Sequence, residues 1–190
     1  MFSARRPSPA TIERFVRSSA ALPLSYGPPG IVRDQAAGYR FYEAVIRIGH
    51  GPSDFERAKA ALVAWKQFEI GWVETYPRHK PVVAGTNVAV LIRHLGFWSL
   101  NGCRVLYVVG GEEDAGRFGF AYGTLPNHSE SGEELFEVYV DSATADVMYR
   151  IRATSWPQAV LAAVGHPIAR RLQARFRIDS GEAMKRATRI

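Results

Sequence analysis

Cysteine, lysine and long uncharged runs are what this sequence has little of. Cys103 is the one cysteine in 190 residues, which excludes an intramolecular disulfide and any zinc site built on several thiolates. That composition suits a reducing compartment, and the cytoplasm is the expected location. No apolar stretch approaches the roughly 20 residues of a membrane span. After Arg5 and Arg6 the chain meets Glu13, Arg14 and Arg17 before any run long enough for a signal peptide. Only four of the 24 cations are lysine, an arginine bias that reads more as a genome's codon preference than as function. The glycine-containing stretches "GHGPSD" and "VGGEEDAG" carry neither a phosphate-loop lysine nor a GxGxxG frame, so no nucleotide cofactor is expected. His50, His79, His94, His128 and His166 lie far apart, with no i,i+4 pair on a helix and no HExxH, so no metal site is expected. Gly-x-Ser-x-Gly is absent as well, which removes the common serine-nucleophile elbow.

What is present is apolar and basic. The chain is 47% hydrophobic and 12% aromatic, enough for a sizeable core, and its length fits one domain over residues 1–190. Net charge is +6. From His166 onward seven cations face Asp179 and Glu182, so nearly all the excess sits in the C-terminal segment. An anionic partner at Arg170, Arg171 and Arg175 would use that cluster. Nucleic acid is disfavoured, because one solvated helix face gives the same count and no base-stacking RNP-type motif accompanies it.

Order along the chain follows from period and punctuation. Within residues 1–30, Ser8-Pro9 reads as an N-cap and first helical position ahead of Ile12, Phe15 and Val16, and Pro23 to Gly30 reads as a loop. Residues 31–156 hold the sheet. "GYRFYEAVIRIGHG" predicts a strand whose candidate faces are Phe41, Ala44 and Ile46 or Tyr39, Val45 and Arg47. "PSDFERAKAALVAWKQF" predicts a helix, with Ser53 and Glu56 at capping-box spacing and Phe55, Ala58, Leu62 and Trp65 on one stripe. Trp65 and Phe68 are expected in the core.

From Val82 the period turns to two, and "VVAGTNVAVLIRHLGFWSL", "CRVLYVVGG", "RFGFAYGTL", "EELFEVYVD" and "DVMYRIRATSW" predict an antiparallel meander. Residues 157–190 turn helical again, divided near Gly165 and Pro167 into a short lead-in and a long helix carrying Ile168, Leu172 and Phe176. A curved antiparallel sheet must bury one face, and the helices are what is left to cover it. The expected class is α+β, a curved antiparallel sheet gripping a long C-terminal helix. That arrangement resembles the helix-grip fold of the START-like, birch-pollen-allergen-like superfamily, which includes polyketide cyclases and lipid carriers.

A narrower resemblance rests on four motifs. "LSYGPPG", the run "GYRFYEAVIRIGHGPSDFERAKAALVAWKQFEIGW", "GTLPNHSESGEELFEV", and the late "SWP" followed by "GHPIARRLQ" together resemble an uncharacterised family of bacteria and plants, domain of unknown function nineteen-ninety. It spans roughly Leu24 to Arg177 and implies no assigned activity, so no catalytic residue comes with it.

The polar stretch "GTLPNHSESGEELFEVYVD" reads as strand, turn and strand. Alternation puts Phe118, Phe120 and Tyr122 on one face and Gly119, Ala121 and Gly123 on the other, where a helix or ligand can approach closely. Glu134 shares a face with Phe136 and Val138 and points toward a cavity mouth, while Glu133 and Glu137 are expected in water. His128 and Glu134 are the candidate acid/base residues, although a polar hairpin loop with Asn127 and Gly132 as its permissive positions explains the same letters. The leading function is binding of a small apolar or amphipathic molecule between sheet and terminal helix. Candidate ligand contacts are Trp72, Trp98, Tyr107, Phe120, Tyr122, Phe136, Tyr149 and Phe176, with Val90 and Ile92 beside them. The alternatives are a cyclase- or hydrolase-type enzyme in the same pocket, and an interaction module using the basic C-terminal helix.

Overall fold

A computed structural model describes residues 2–33, 41–78, 80–111, 114–157 and 166–189. Its elements are β1 (Phe2–Ser3), α1 (Pro9–Ser19), β2 (Phe41–His50), α2 (Gly51–Val63), a 3-10 turn (Lys66–Phe68), β3 (Val73–Tyr76), β4 (Asn87–His94), β5 (Phe97–Gly111), β6 (Asp114–Thr124), β7 (Glu130–Val140), β8 (Asp146–Pro157) and α3 (His166–Thr188). The strands pair antiparallel in the order β2-β8-β7-β6-β5-β4-β3, and β1 adds beside Trp98 and Ser99 where β5 runs past the end of β6. The sheet curls, and its concave face holds α2 and α3.

Each element has a local cause. Ser8 caps α1 by accepting from the Thr11 amide with Pro9 at the first helical position. Helix α2 begins earlier than the Ser53/Glu56 spacing suggests: His50 is the N-cap, and the Asp54 carboxylate accepts from the His50 amide at 2.8 Å. It also ends earlier. Trp65 lies beyond it at φ 60°, a left-handed conformation rare for a bulky residue, held by burial against Phe120 and by an Nε1 hydrogen bond to the Lys80 carbonyl.

Several strand expectations are corrected. "GFWSL" joins "CRVLYVVGG" in one long β5, and the turn falls at Leu95-Gly96, both at positive φ. Strand β3 had no period signal because it is four residues long. In β2 the inward side chains are Tyr42, Ala44, Ile46 and Ile48, so Phe41 belongs to the opposite face, against Val32, Ala121 and Leu135. Tyr39 and the lead-in before α3 lie outside the described residues.

The main core sits between the concave face and the helices. Phe55, Ala58 and Leu62 of α2, with Trp65 and Phe68, pack on Val105, Phe120, Phe136, Val138, Tyr149 and Ile151. Cys103 lies in the same cluster, fully buried. The convex face is covered too: Ile12 of α1 packs on Ala89, Leu91 and Leu100, and Val32 on Ala121 and Leu135. At its far end α3 closes on β2, where a Cβ at Gly181 would overlap the Ile46 Cδ1 methyl.

Candidate functional site

Between the concave sheet and α3 lies a cavity of about 290 Å³. Phe68, Trp72, Val90, Ile92, Leu172 and Phe176 supply most of its apolar wall, from the 3-10 turn, the residue just before β3, β4 and α3. Period-two alternation in β6 and β7 delivers the polar part: Tyr122 and Glu134 are paired across the two strands, and both point inward. Tyr122 Oη donates to Glu134 Oε2 at 2.6 Å. Helix α3 contributes Gln173, whose Nε2 donates to Glu130 and to Ser155 and so ties the helix to β7 and β8. Arg177 lies at the rim with its guanidinium over the Tyr42 ring, 5.4 Å from the centroid.

The electrostatics follow from that enclosure. Burial, together with the nearby Glu130 charge, pushes the Glu134 carboxyl up to about 7, while the Tyr122 hydrogen bond and Arg177 oppose the rise. Burial pushes the Tyr122 hydroxyl well above its ordinary range. His128 is pushed down to about 4 by burial, only partly offset by its backbone contact with Glu130, so its imidazole is neutral at physiological pH. Its Nδ1 accepts from the Glu130 amide at 2.9 Å. His128 and Glu134 therefore share the cavity wall without forming a hydrogen-bonded pair; the partner of Glu134 is Tyr122. Among the described residues no group of three His, Cys, Asp or Glu side chains is placed to hold a metal ion.

A family model described as Domain of unknown function (DUF1990) matches residues 25–183. The chain belongs to that family. The DUF1990 chain is 31% identical over 206 aligned residues to a UPF0548 protein of Dictyostelium discoideum, covering 98% of this chain and 95% of that one. It is 34% identical over 157 residues to a UPF0548 protein of Deinococcus radiodurans, covering 76% and 78%. Among solved structures it is similar to the Zhui aromatase/cyclase of Streptomyces sp. R1128 (TM-score 0.55, 12% identity, 79% and 93% of the two chains). It is also similar to a hypothetical protein from Helicobacter pylori (0.53, 10%, 86% and 95%) and to Ara h 8.0201 (0.50, 10%, 80% and 98%). These likenesses show the fold, a curled antiparallel sheet gripping a C-terminal helix.

Of the side chains singled out from the sequence, the DUF1990 fold brings Trp72, Val90, Ile92, Tyr122, His128, Glu134 and Phe176 to the cavity. Phe120, Phe136 and Tyr149 point the same way but lie deeper, fully buried in the solid core, with Tyr149 Oη bonded to Ser180 Oγ of α3 at 2.8 Å. Trp98 and Tyr107 are on the convex face. Trp98 packs beside α1 under Arg6. Tyr107 would share parity with Val105 in a regular strand, but a register shift between them turns it outward to Glu133.

Three further expectations are corrected. Glu133 and Glu137 do not face water: each is at most 2% exposed. Glu133 accepts from Tyr26 Oη, the Gly30 amide and Tyr107 Oη, and Glu137 is paired with Arg117 and Arg150. The glycine face of β6 admits neither ligand nor α3 but the Pro/Gly loop, since a Cβ at Gly123 would strike Tyr26 Oη. Gly132 lies inside β7 rather than in the turn. Of the basic residues on α3, Arg175 is spent on Asp179 and the Trp72 ring, whereas Arg170 lies with Gln173 and Arg177 beside the cavity rim and Arg171 is exposed.

Proposed function

We propose that this protein binds a small, mostly apolar molecule between the sheet and α3, with Trp72, Tyr122 and Phe176 as walls and Glu134 as the orienting polar group. The cavity itself carries this reading. Aromatic and aliphatic side chains meet there beside the Tyr122–Glu134 pair and a few other polar groups without closing the space, although a protein interior otherwise packs to near-crystalline density. Affinity would come from apolar area at about 25 cal/mol per Å² buried. The fold likeness supports the reading, because a protein of similar architecture is an aromatase/cyclase. A reducing compartment, the cytoplasm, fits the lone Cys103.

Native mass spectrometry of gently purified protein, followed by denaturing extraction, tests the proposal. A stoichiometric small apolar adduct that raises the unfolding temperature on re-addition is the expected result. An adduct-free protein whose stability no apolar compound changes would count against it.

One observation favours a second reading, catalysis in the same cavity. A carboxyl held at about 7 exchanges protons efficiently near neutrality, and Glu134 is such a group. If so, Glu134→Gln abolishes turnover of the extracted compound while leaving its affinity largely intact; equal loss of both would return Glu134 to a binding role.

A further inference from the structure

Apolar walls account for affinity but leave Glu134 unexplained. Its Oε2 is engaged by Tyr122, and among the described residues its Oε1 has no hydrogen-bond partner. Its side chain is half-buried and faces the cavity, whose walls include the rings of Phe68, Trp72 and Phe176. The cation that reaches it, Arg177, is stacked on Tyr42 at the rim and makes no ion pair among the described residues. Glu130 on the same wall is held by Gln173, and the Glu133 carboxylate is taken by Tyr26, Gly30 and Tyr107.

A ligand carrying its own carboxylate would bring like charge against Glu134 in a medium where Coulomb repulsion is several-fold stronger than in water. A donor head meets an acceptor already fixed in direction by Tyr122, and an ammonium gains the faces of the surrounding rings as well. Tyr122 donates its proton to Glu134, so both oxygens at this spot present lone pairs.

Resting on the binding reading above, we propose that the cavity selects apolar molecules with a hydrogen-bond-donating head, an amine or an alcohol, seated against Glu134, and rejects the matching carboxylate. Phenylbutylamine, phenylbutanol, phenylbutyrate and butylbenzene share one apolar body and differ at the head. Calorimetric titration of the full-length protein at about pH 8 should show the amine and the alcohol binding about tenfold or more tighter than phenylbutyrate. In Glu134→Gln the advantage of the amine should shrink by about tenfold.

A pH series on the unmodified protein keeps the test open if that variant misfolds. Of the groups around Glu134, burial holds Tyr122, Tyr149 and Cys103 protonated and His128 neutral, and Arg177 and Glu130 complete the set. Moving from about pH 8 to about pH 6 protonates Glu134, so amine affinity should fall several-fold while alcohol affinity stays within about twofold. Phenylbutyrate or butylbenzene binding as tightly as the amine would overturn the head-group selection and leave apolar binding standing. If none of the four binds, the cavity is not a binding site and both readings fall.

Discussion

Glu134 and His128 stand on one wall and respond to burial in opposite senses, which gives the pair a testable signature. Folded Glu134 keeps its proton up to about 7, against an ordinary value of 4.5, so raising the pH through that window costs stability. Folded His128 refuses a proton down to about 4, against 6.5, so raising the pH through that window adds stability. Over the shared range these two contributions oppose each other and largely cancel in the native protein. In Glu134→Gln stability should rise by roughly 1–2 kcal/mol between about pH 4 and 6.5 and then level off, whereas in His128→Gln it should fall toward pH 7. Urea midpoints across pH check this, and parallel profiles for the two variants would refute it.

Glu133 is the buried counterpart on the other face. Three donors converge on it, from Tyr26, Gly30 and Tyr107, and burial with the Glu133 charge pushes the Tyr26 hydroxyl up. Glu133→Ala strands those donors and should cost about 2–3 kcal/mol, with faster amide exchange across Ser25–Gly30. Alternation along β7 separated Glu134 from Glu133 and Glu137 correctly, yet it marked the second face as solvent. A period reports that two faces differ; it carries no information on whether a distant loop or a pair of arginines covers one of them.

At the level of elements, the meander and the terminal helix were legible because each repeats its period over many residues. The 3-10 turn, β3 and the end of α2 were not, since they are short and are set by the docking of Trp65 and Phe68 into the core. The outward turn of Tyr107 was hidden for a related reason: the shift at Leu106 accompanies curling of the sheet, a property of neighbouring strands and not of the local letters. Trp72, Tyr122 and Phe176 were legible as candidates because they are large aromatics on elements expected to face each other, while Gln173 was missed because its partners, Glu130 and Ser155, are far away in the chain.

Gly181 and Gly132 test two close approaches. Helix propensity alone would make Gly181→Ala stabilising, but the new methyl meets the tip of Ile46, which can shift, so the net change should stay within about 1 kcal/mol. Gly181→Leu has no such escape and should destabilise by about 1–3 kcal/mol. At Gly132 the backbone has φ 155° and a Cβ would strike the Thr154 carbonyl, so even alanine should be costly there. Midpoints of chemical unfolding rank the three, and an equally tolerated leucine at Gly181 would show that α3 does not press on β2.

For the whole molecule, the N-terminal segment matters as much as the gripped helix. Helix α1 covers the convex face through Ile12, the Pro/Gly loop supplies two of the three donors to Glu133, and it leads into Val32, which packs on Ala121 and Leu135. One cooperative unfolding transition is therefore expected, and removing residues 1–30 should lower the midpoint and expose the outer face of β4 to β7, read as dye binding. A truncated protein of unchanged stability would make that segment an appendage.

Cys103 adds a consequence of a different kind. It is the sole thiol, it sits in strand β5 between β4 and β6, and burial both hides it and raises its pKa well above the ordinary value. An alkylating reagent can reach it only when the sheet parts, so its labelling rate in native buffer is a clock for opening. Any compound that occupies the cavity and stabilises the closed sheet should slow that clock as it saturates, turning one unreactive sulfur into a readout of ligand affinity.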